Sequence, residues 1–262
     1  MGDFFCLEWD RESTDRQRAL TPPFPVNRSS FPPPPSLTMA ELPPIKLYVY
    51  EHCPFCARVR VLLGLKEIDH ELVYLMNHDE PTPIGLVGSK QVPILVADGG
   101  KPMAESMDIV RFLDANYGGP VLLKESADRE DLKQWIKDVS EAAMQLQMPR
   151  FHKTPFAEFA RRPSRDYYRV KKEKVMHTTF EEALARTPEL LEKANDLLLS
   201  LVDMFKGDYT VNEEISYDDI DLVTRLRAFT IVKGIQWPPK LRAYVDYYSE
   251  KADLALFDLM AQ

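Results

Sequence analysis

A β-rich run, IKLYVY (45–50), leads through EHCPFC straight into a helical pattern, and two cysteines stand on the turn between them. No other stretch constrains the fold as much. The run is rich in β-branched and aromatic residues and reads as a short buried strand. From Cys56 to Glu67, the residues Val59, Leu62, Leu63 and Lys66 recur at helical spacing, mixed with Arg58 and Arg60. Gly64 is expected to weaken that helix slightly. Pro54 suits the first helical position, where a missing N–H costs no intrahelical bond, so Cys53 lies at or just before the first turn. A sulfur there meets unpaired N–H groups and the positive end of the helix dipole, and both favour thiolate over thiol. Cys56 falls three residues later, on the same side of that turn. Its less exposed thiol should hold its proton more tightly. A thiolate at Cys53 attacks a disulfide without a separate base, and Cys56 is placed to resolve the mixed disulfide.

The pattern continues as a small α/β unit. HELVYLM (70–76) reads as a second strand, and 78–88 as a turn with one short helix. QVPILVAD (91–98) reads as a third strand, Gly99-Gly100 as a turn, and KPMA (101–104) as a fourth short strand. Ser106 is placed to cap a helix through MDIVRFLDAN that ends near Gly118-Gly119. A Cys-x-x-Cys pair within this order, β-α-β-α-β-β-α, points to a thioredoxin-like redox domain. After residue 120 strand-like runs largely vanish. Helices are predicted over 127–148 and 166–185, from the Thr187-Pro188-Glu189 start, from Ser216 with Asp219 at its third position, and over 240–260. The fold class is therefore α/β plus all-α: a thioredoxin-like domain over 43–119, then a helical domain over 125–262.

Residues 1–42, with TPPFP and FPPPPS, read as a disordered, proline-rich tail, and Met39 offers a later start. The chain has 262 residues and a net charge of -8, which argues against a general nucleic-acid backbone binder. No apolar run approaches the roughly 20 residues of a membrane-spanning helix. Asp3, Glu8, Asp10 and Arg11 interrupt the N-terminus where a secretory signal needs an apolar stretch. A cytoplasmic protein without membrane contact is expected. Three cysteines, Cys6, Cys53 and Cys56, do not make a disulfide framework. A metal site needs two further ligands beside the Cys-x-x-Cys pair. His52, His70 and His78 do not form a second cluster in the sequence, so no metal is expected.

Two further features bear on a ligand. Pro93, if its bond to Val92 is cis, turns the chain so that the Val92 backbone is free to pair with a peptide-like substrate. Composition alone favours trans, and the thioredoxin-like context favours cis. Glu105-Ser106 sits between a strand and a helix. The Ser106 N–H suits a carboxylate and Glu105 suits a free amino group, though an ordinary helix cap explains the pair as well.

Together KLYVYEHCPFCARVR, PTPIGLVGSKQVPIL, MAESMDIVRFLD and NEEISYDDIDLVTRLRAFTIVKGIQWP resemble the two-domain bacterial glutaredoxin 2 family, whose fold is that of glutathione transferases. The resemblance spans 45–262. It implies a glutathione-dependent oxidoreductase that uses glutathione as reducing co-substrate and acts on oxidised or glutathionylated proteins as a monomer. By position, Cys53 is the nucleophile and Cys56 the resolving thiol. Val92 binds the cysteinyl part of glutathione through its backbone beside cis Pro93. Glu105 and Ser106 hold the γ-glutamyl end. Phe55 replaces the tyrosine that the better-known pattern carries between the cysteines, so an aromatic surface remains and a polar contact is lost. Other readings are a glutathione transferase or dehydroascorbate reductase, a non-catalytic glutathione-binding interaction protein, and an iron–sulfur-bridged dimer. A transferase commonly uses tyrosine or serine where this chain has Cys53.

Overall fold

The computed structural model describes residues 45–262, and the proline-rich tail with Cys6 and Met39 lies outside them. The first strand, β1 (Ile45–Val49), buries Ile45, Leu47 and Val49 and leaves Lys46 and Tyr48 half-exposed. That alternation places one face of the strand in the core. Helix α1 (Pro54–Leu65) follows, with Cys53 as its cap residue and Pro54 in its first turn. β2 (His70–Tyr74) returns parallel to β1, with Leu47 opposite Leu72. After α2 (Pro81–Val87), β3 (Ile94–Val96) runs antiparallel on the other side of β1. The sheet order is β2-β1-β3.

The expected fourth strand at 101–104 reduces to one bridge. Met103 and Leu95 exchange both backbone hydrogen bonds at 2.8 Å. Pro102 has no N–H to extend the ladder. Helix α3 (Ser106–Asn116) then packs on α1. Its cap residue is Glu105, and Ser106 is its first helical residue. Ser106 therefore does not cap the helix as expected. Its hydroxyl is engaged instead by the Arg58 guanidinium at 3.0 Å.

From residue 130 the chain is helical. It forms α4 (Glu130–Phe151), α5 (Arg162–Met176), α6 (Phe180–Ala185), α7 (Thr187–Leu201), α8 (Tyr217–Phe229) and α9 (Pro239–Lys251). α4 starts later than 127 because Asp128 has a left-handed backbone, φ 53°, and Asp218 holds the Ala127 N–H at 2.9 Å. The single helix expected over 166–185 is two. His177 closes α5 in a left-handed conformation, and Thr179 opens α6. The Thr179 N–H donates to Glu182 at 2.9 Å while the Glu182 N–H donates to the Thr179 hydroxyl at 3.2 Å. α7 starts at Thr187 itself, the residue expected as its cap, and Arg186 takes the cap position. At Ser216 the expectation holds: its N–H donates to Asp219 at 2.9 Å. The helix of 240–260 ends at Lys251, and the chain beyond Ala252 folds back with Leu254 and Phe257 buried.

α8 is the most enclosed helix of the second half and packs directly on α1. Among the described residues, no helix is long and apolar enough to cross a membrane. α1 packs on three helices, α3, α8 and α9. Its last turn also meets Ala252, and Gly64 makes this contact possible. A Cβ built on Gly64 falls 2.4 Å from the Ala252 Cα and carbonyl oxygen. Gly64 is thus required by packing, and its weaker helix propensity is the smaller effect. Gly64→Ala should lower stability by about 1–3 kcal/mol, although alanine is the better helix former by about 1 kcal/mol. Urea unfolding of the purified variant measures the sign, and a gain in stability would refute the packing account.

Candidate functional site

Cys53 caps α1 with an extended backbone, φ -75° and ψ 118°. The turn that carries it is closed by its own N–H, which donates to the Tyr50 carbonyl at 3.4 Å. Cys53 is 8% exposed and Cys56 is fully buried, and both are free thiols. Burial works to raise Cys53. It is outweighed by the Cys56 thiol, the charge of His52 and the backbone N–H groups of Cys56 and Phe55, and the thiol is lowered to about 6. Cys56 goes the other way: burial, its hydrogen bond to Cys53 and repulsion from that sulfur push it well up. One helical turn thus separates the pair into a thiolate and a proton donor. The Tyr50 N–H donates to the Cys56 sulfur at 3.5 Å.

His52 is buried. Its N–H donates to Glu158 Oε1 at 3.1 Å, and its Nδ1 lies 2.7 Å from the same oxygen. Tyr50 stacks on the ring at 5.8 Å, Phe159 lies at 5.0 Å, and Tyr168 from α5 meets it edge-on at 5.1 Å. Lys90 donates to the Tyr50 hydroxyl and sits over that ring at 5.1 Å. Burial brings its ammonium down to about 8, against the opposing pull of Asp79 and Glu80.

The Val92-Pro93 bond is cis. In the β1–β3 register Tyr48 faces Ile94, so Pro93 stands at the end of β1 that leads into the cysteine turn. Glu105 has a left-handed φ of 68° and is exposed, and Ser106 behind it is buried. Arg58 joins these parts. Its guanidinium lies 4.6 Å from the centre of the half-buried Phe55 ring and donates to Ser106 Oγ. It also donates to Asp221 of α8 from Nε at 3.0 Å. The structure therefore connects Phe55, Arg58 and Ser106 directly, and it places Val92-Pro93 beside the cysteine turn through the sheet. Among the described residues, no group of three or more His, Cys, Asp or Glu is arranged to hold a metal.

Glu158, Lys90 and Tyr168 had no signal in the sequence, because each reaches the site from far along the chain. Arg58 is 4% exposed and has no solvated surface role.

Comparisons with known proteins agree with this architecture. Residues 131–261 match the family "Glutaredoxin 2, C terminal domain", and residues 47–121 match "Glutathione S-transferase, N-terminal domain". The chain is 38% identical to Glutaredoxin 2 of Escherichia coli K12 over 217 residues, covering 83% of this chain and 100% of the relative. A crystal structure of Salmonella typhimurium Glutaredoxin 2 in complex with glutathione superposes with a TM-score of 0.79 at 39% identity, over 83% of this chain and 99% of that one. Glutathione S-transferase L1 of Arabidopsis thaliana is 32% identical over 121 residues, 44% of this chain and 50% of the relative.

The Arg58–Asp221 contact yields a prediction with a fixed sign. Burial works to raise the Asp221 carboxyl, but Arg225 and Arg58 outweigh it and hold it at about 2, against an ordinary 3.8. A carboxylate lowered on folding stabilises the fold above its unfolded value and loses that contribution as pH falls through the folded one. Asp221→Asn should therefore cost about 2 kcal/mol at neutral pH, with the gap to the native protein closing as pH drops from about 4 to 2. Urea titrations across that window measure it, and a pH-independent gap would refute the ion-pair account.

Proposed function

The chain belongs to the glutaredoxin 2 family, and we propose that its glutathione-dependent thiol–disulfide exchange begins at Cys53 and is resolved through Cys56. The carrying observation is the placement of two free thiols on one helical turn, Cys53 as the cap residue of α1 and Cys56 fully buried three residues on, an arrangement that pushes Cys53 down and Cys56 up. A nucleophile near neutral pH must be ionised, and a resolving thiol must stay protonated until a disulfide has formed beside it.

The Cys53 thiolate attacks one sulfur of a substrate disulfide, forming a mixed disulfide and releasing the other sulfur as a thiolate. On a protein disulfide, Cys56 then gives up its proton and attacks the Cys53 sulfur. This closes the Cys53–Cys56 disulfide and releases the reduced substrate. Two glutathione thiols restore the dithiol and leave as glutathione disulfide. On a glutathionylated protein Cys53 takes the glutathionyl group, and a second glutathione thiolate removes it, again as glutathione disulfide. Cys56 is not needed on that route.

In this reading the Val92 backbone beside cis Pro93 holds the cysteinyl part of glutathione. Glu105 and the Ser106 N–H take the γ-glutamyl end, with Phe55 as an apolar wall. Three observations support it: Pro93 adjoins the cysteine turn, the left-handed Glu105 precedes the first N–H of α3, and Arg58 fixes the Ser106 hydroxyl. The order of strands and helices up to Asn116, and of helices alone from Glu130, supports domains over 43–119 and 125–262. With the family as support, the reading is of a cytoplasmic monomer that acts on oxidised or glutathionylated proteins.

Glutathione-coupled reduction of a small mixed disulfide is the test. Cys53→Ser should fall to background while Cys56→Ser keeps turnover, and Cys56→Ser should fail only on a substrate with an intramolecular protein disulfide. Equal loss in both variants on the small substrate would overturn the one-cysteine route. Activity in Cys53→Ser would overturn the nucleophile assignment.

A further inference from the structure

Glu158 lies in a short turn of the helical half (Ala157–Phe159), 106 residues from His52, and its side chain is fully buried. A carboxylate removed from water is costly unless an opposite charge or several donors meet it. His52 is the only hydrogen-bond and ion-pair partner of this side chain among the described residues. Oε1 takes the backbone N–H and faces Nδ1, while Oε2 is buried with no partner. The carboxylate thus fixes which way the imidazole faces and supplies the counter-charge for its protonated form. Phe151, Phe159, Tyr50 and Tyr168 enclose the ring and fix its plane.

We propose that Glu158 is a positioning residue for the thiol exchange: through its two contacts with His52 it fixes the imidazole at the cysteine turn and so sets how readily the Cys53 sulfur ionises. The proposal rests on Cys53 being the nucleophile. A positive charge on His52 favours the Cys53 thiolate. The titratable groups around the imidazole are Glu158, Tyr50 at the end of β1, Tyr168 of α5 and Cys53, with Lys90 and Cys56 reached through Tyr50. Burial pushes Tyr50 and Tyr168 upward, so both stay neutral while Cys53 titrates. The sign of the effect is diagnostic. A carboxylate acting on its own would repel a thiolate, and its removal would make Cys53 ionise more easily. A carboxylate acting through His52 does the reverse.

The experiment is alkylation of the reduced full chain by iodoacetamide between about pH 4.5 and 9.5, with modification at Cys53 read by mass spectrometry. In Glu158→Gln the half-point of the Cys53 profile should move up by about one pH unit, so that alkylation near pH 6 slows several-fold, up to about tenfold. The plateau near pH 9.5, where the thiol is ionised regardless, should stay at the native rate. Glu158→Gln combined with His52→Gln should match His52→Gln alone. An unchanged or lowered half-point overturns the proposal, as does a lower plateau without a shift, which marks a structural role. If Glu158→Gln does not fold, His52→Gln alone decides, because an unshifted half-point there removes the route through the imidazole. A native protein whose Cys53 titrates like an ordinary thiol overturns the nucleophile reading itself, a separate result from a native low half-point that the variants leave in place.

Discussion

Arg58 is buried where α1, α3 and α8 converge. Its guanidinium donates to Asp221 of α8 and Ser106 of α3 and lies against the Phe55 ring between the two cysteines. A buried guanidinium is tolerable only with its donors satisfied, so the position of α8 and the orientation of Ser106 are tied to the helix that carries Cys53. The geometry is a planar fork meeting several acceptors, which lysine does not reproduce. Two further contacts do the same work around the same turn. Arg227 of α8 reaches the Glu51 carbonyl at 3.1 Å and its carboxylate at 2.5 Å, and Glu158 meets His52. Each of these three charged residues of the cysteine turn and α1, Glu51, His52 and Arg58, thus finds a partner in the helical half.

This arrangement explains what the sequence disclosed. The Cys-Pro-Phe-Cys turn, the strand before it and the proline at the first helical position are local features, and local rules place them well. Ser216 with Asp219 is another case, since a capping box is complete within four residues. The errors occur where a distant partner changes a local preference. Ser106 has the chemistry of a cap, but Arg58 takes its hydroxyl. Gly64 carries a propensity cost, but Ala252 leaves room for nothing larger. The break in 166–185 was accessible in principle, because Thr179 with Glu182 is a capping box inside the apolar pattern.

The site divides along the same line. Cys53 and Cys56 were legible because their roles follow from helix position. Glu158 was not, because a lone glutamate in FAEF looks like any solvated acid until the fold buries it. The environment of His52 is four aromatic rings and a carboxylate, all but Tyr50 from the helical half and out of reach of local rules.

The location of these charges has a consequence for the two halves. Without α8 and the 157–159 turn, Arg58 would lose its carboxylate partner, His52 would lose Glu158, and Glu51 would keep only Arg60 and Tyr74. An unpaired buried charge costs several kcal/mol, comparable to a large part of a domain's whole stability. The helical half therefore completes the electrostatics of the cysteine turn as well as covering α1. The same three pairs give the turn a fixed geometry before any substrate arrives, because each holds a residue within five positions of Cys53 to a helix or turn it cannot leave cheaply. The asymmetry between the two thiols rests on that rigidity: Cys53 keeps its donors only while the first turn of α1 stays where Arg58, Glu51 and His52 hold it.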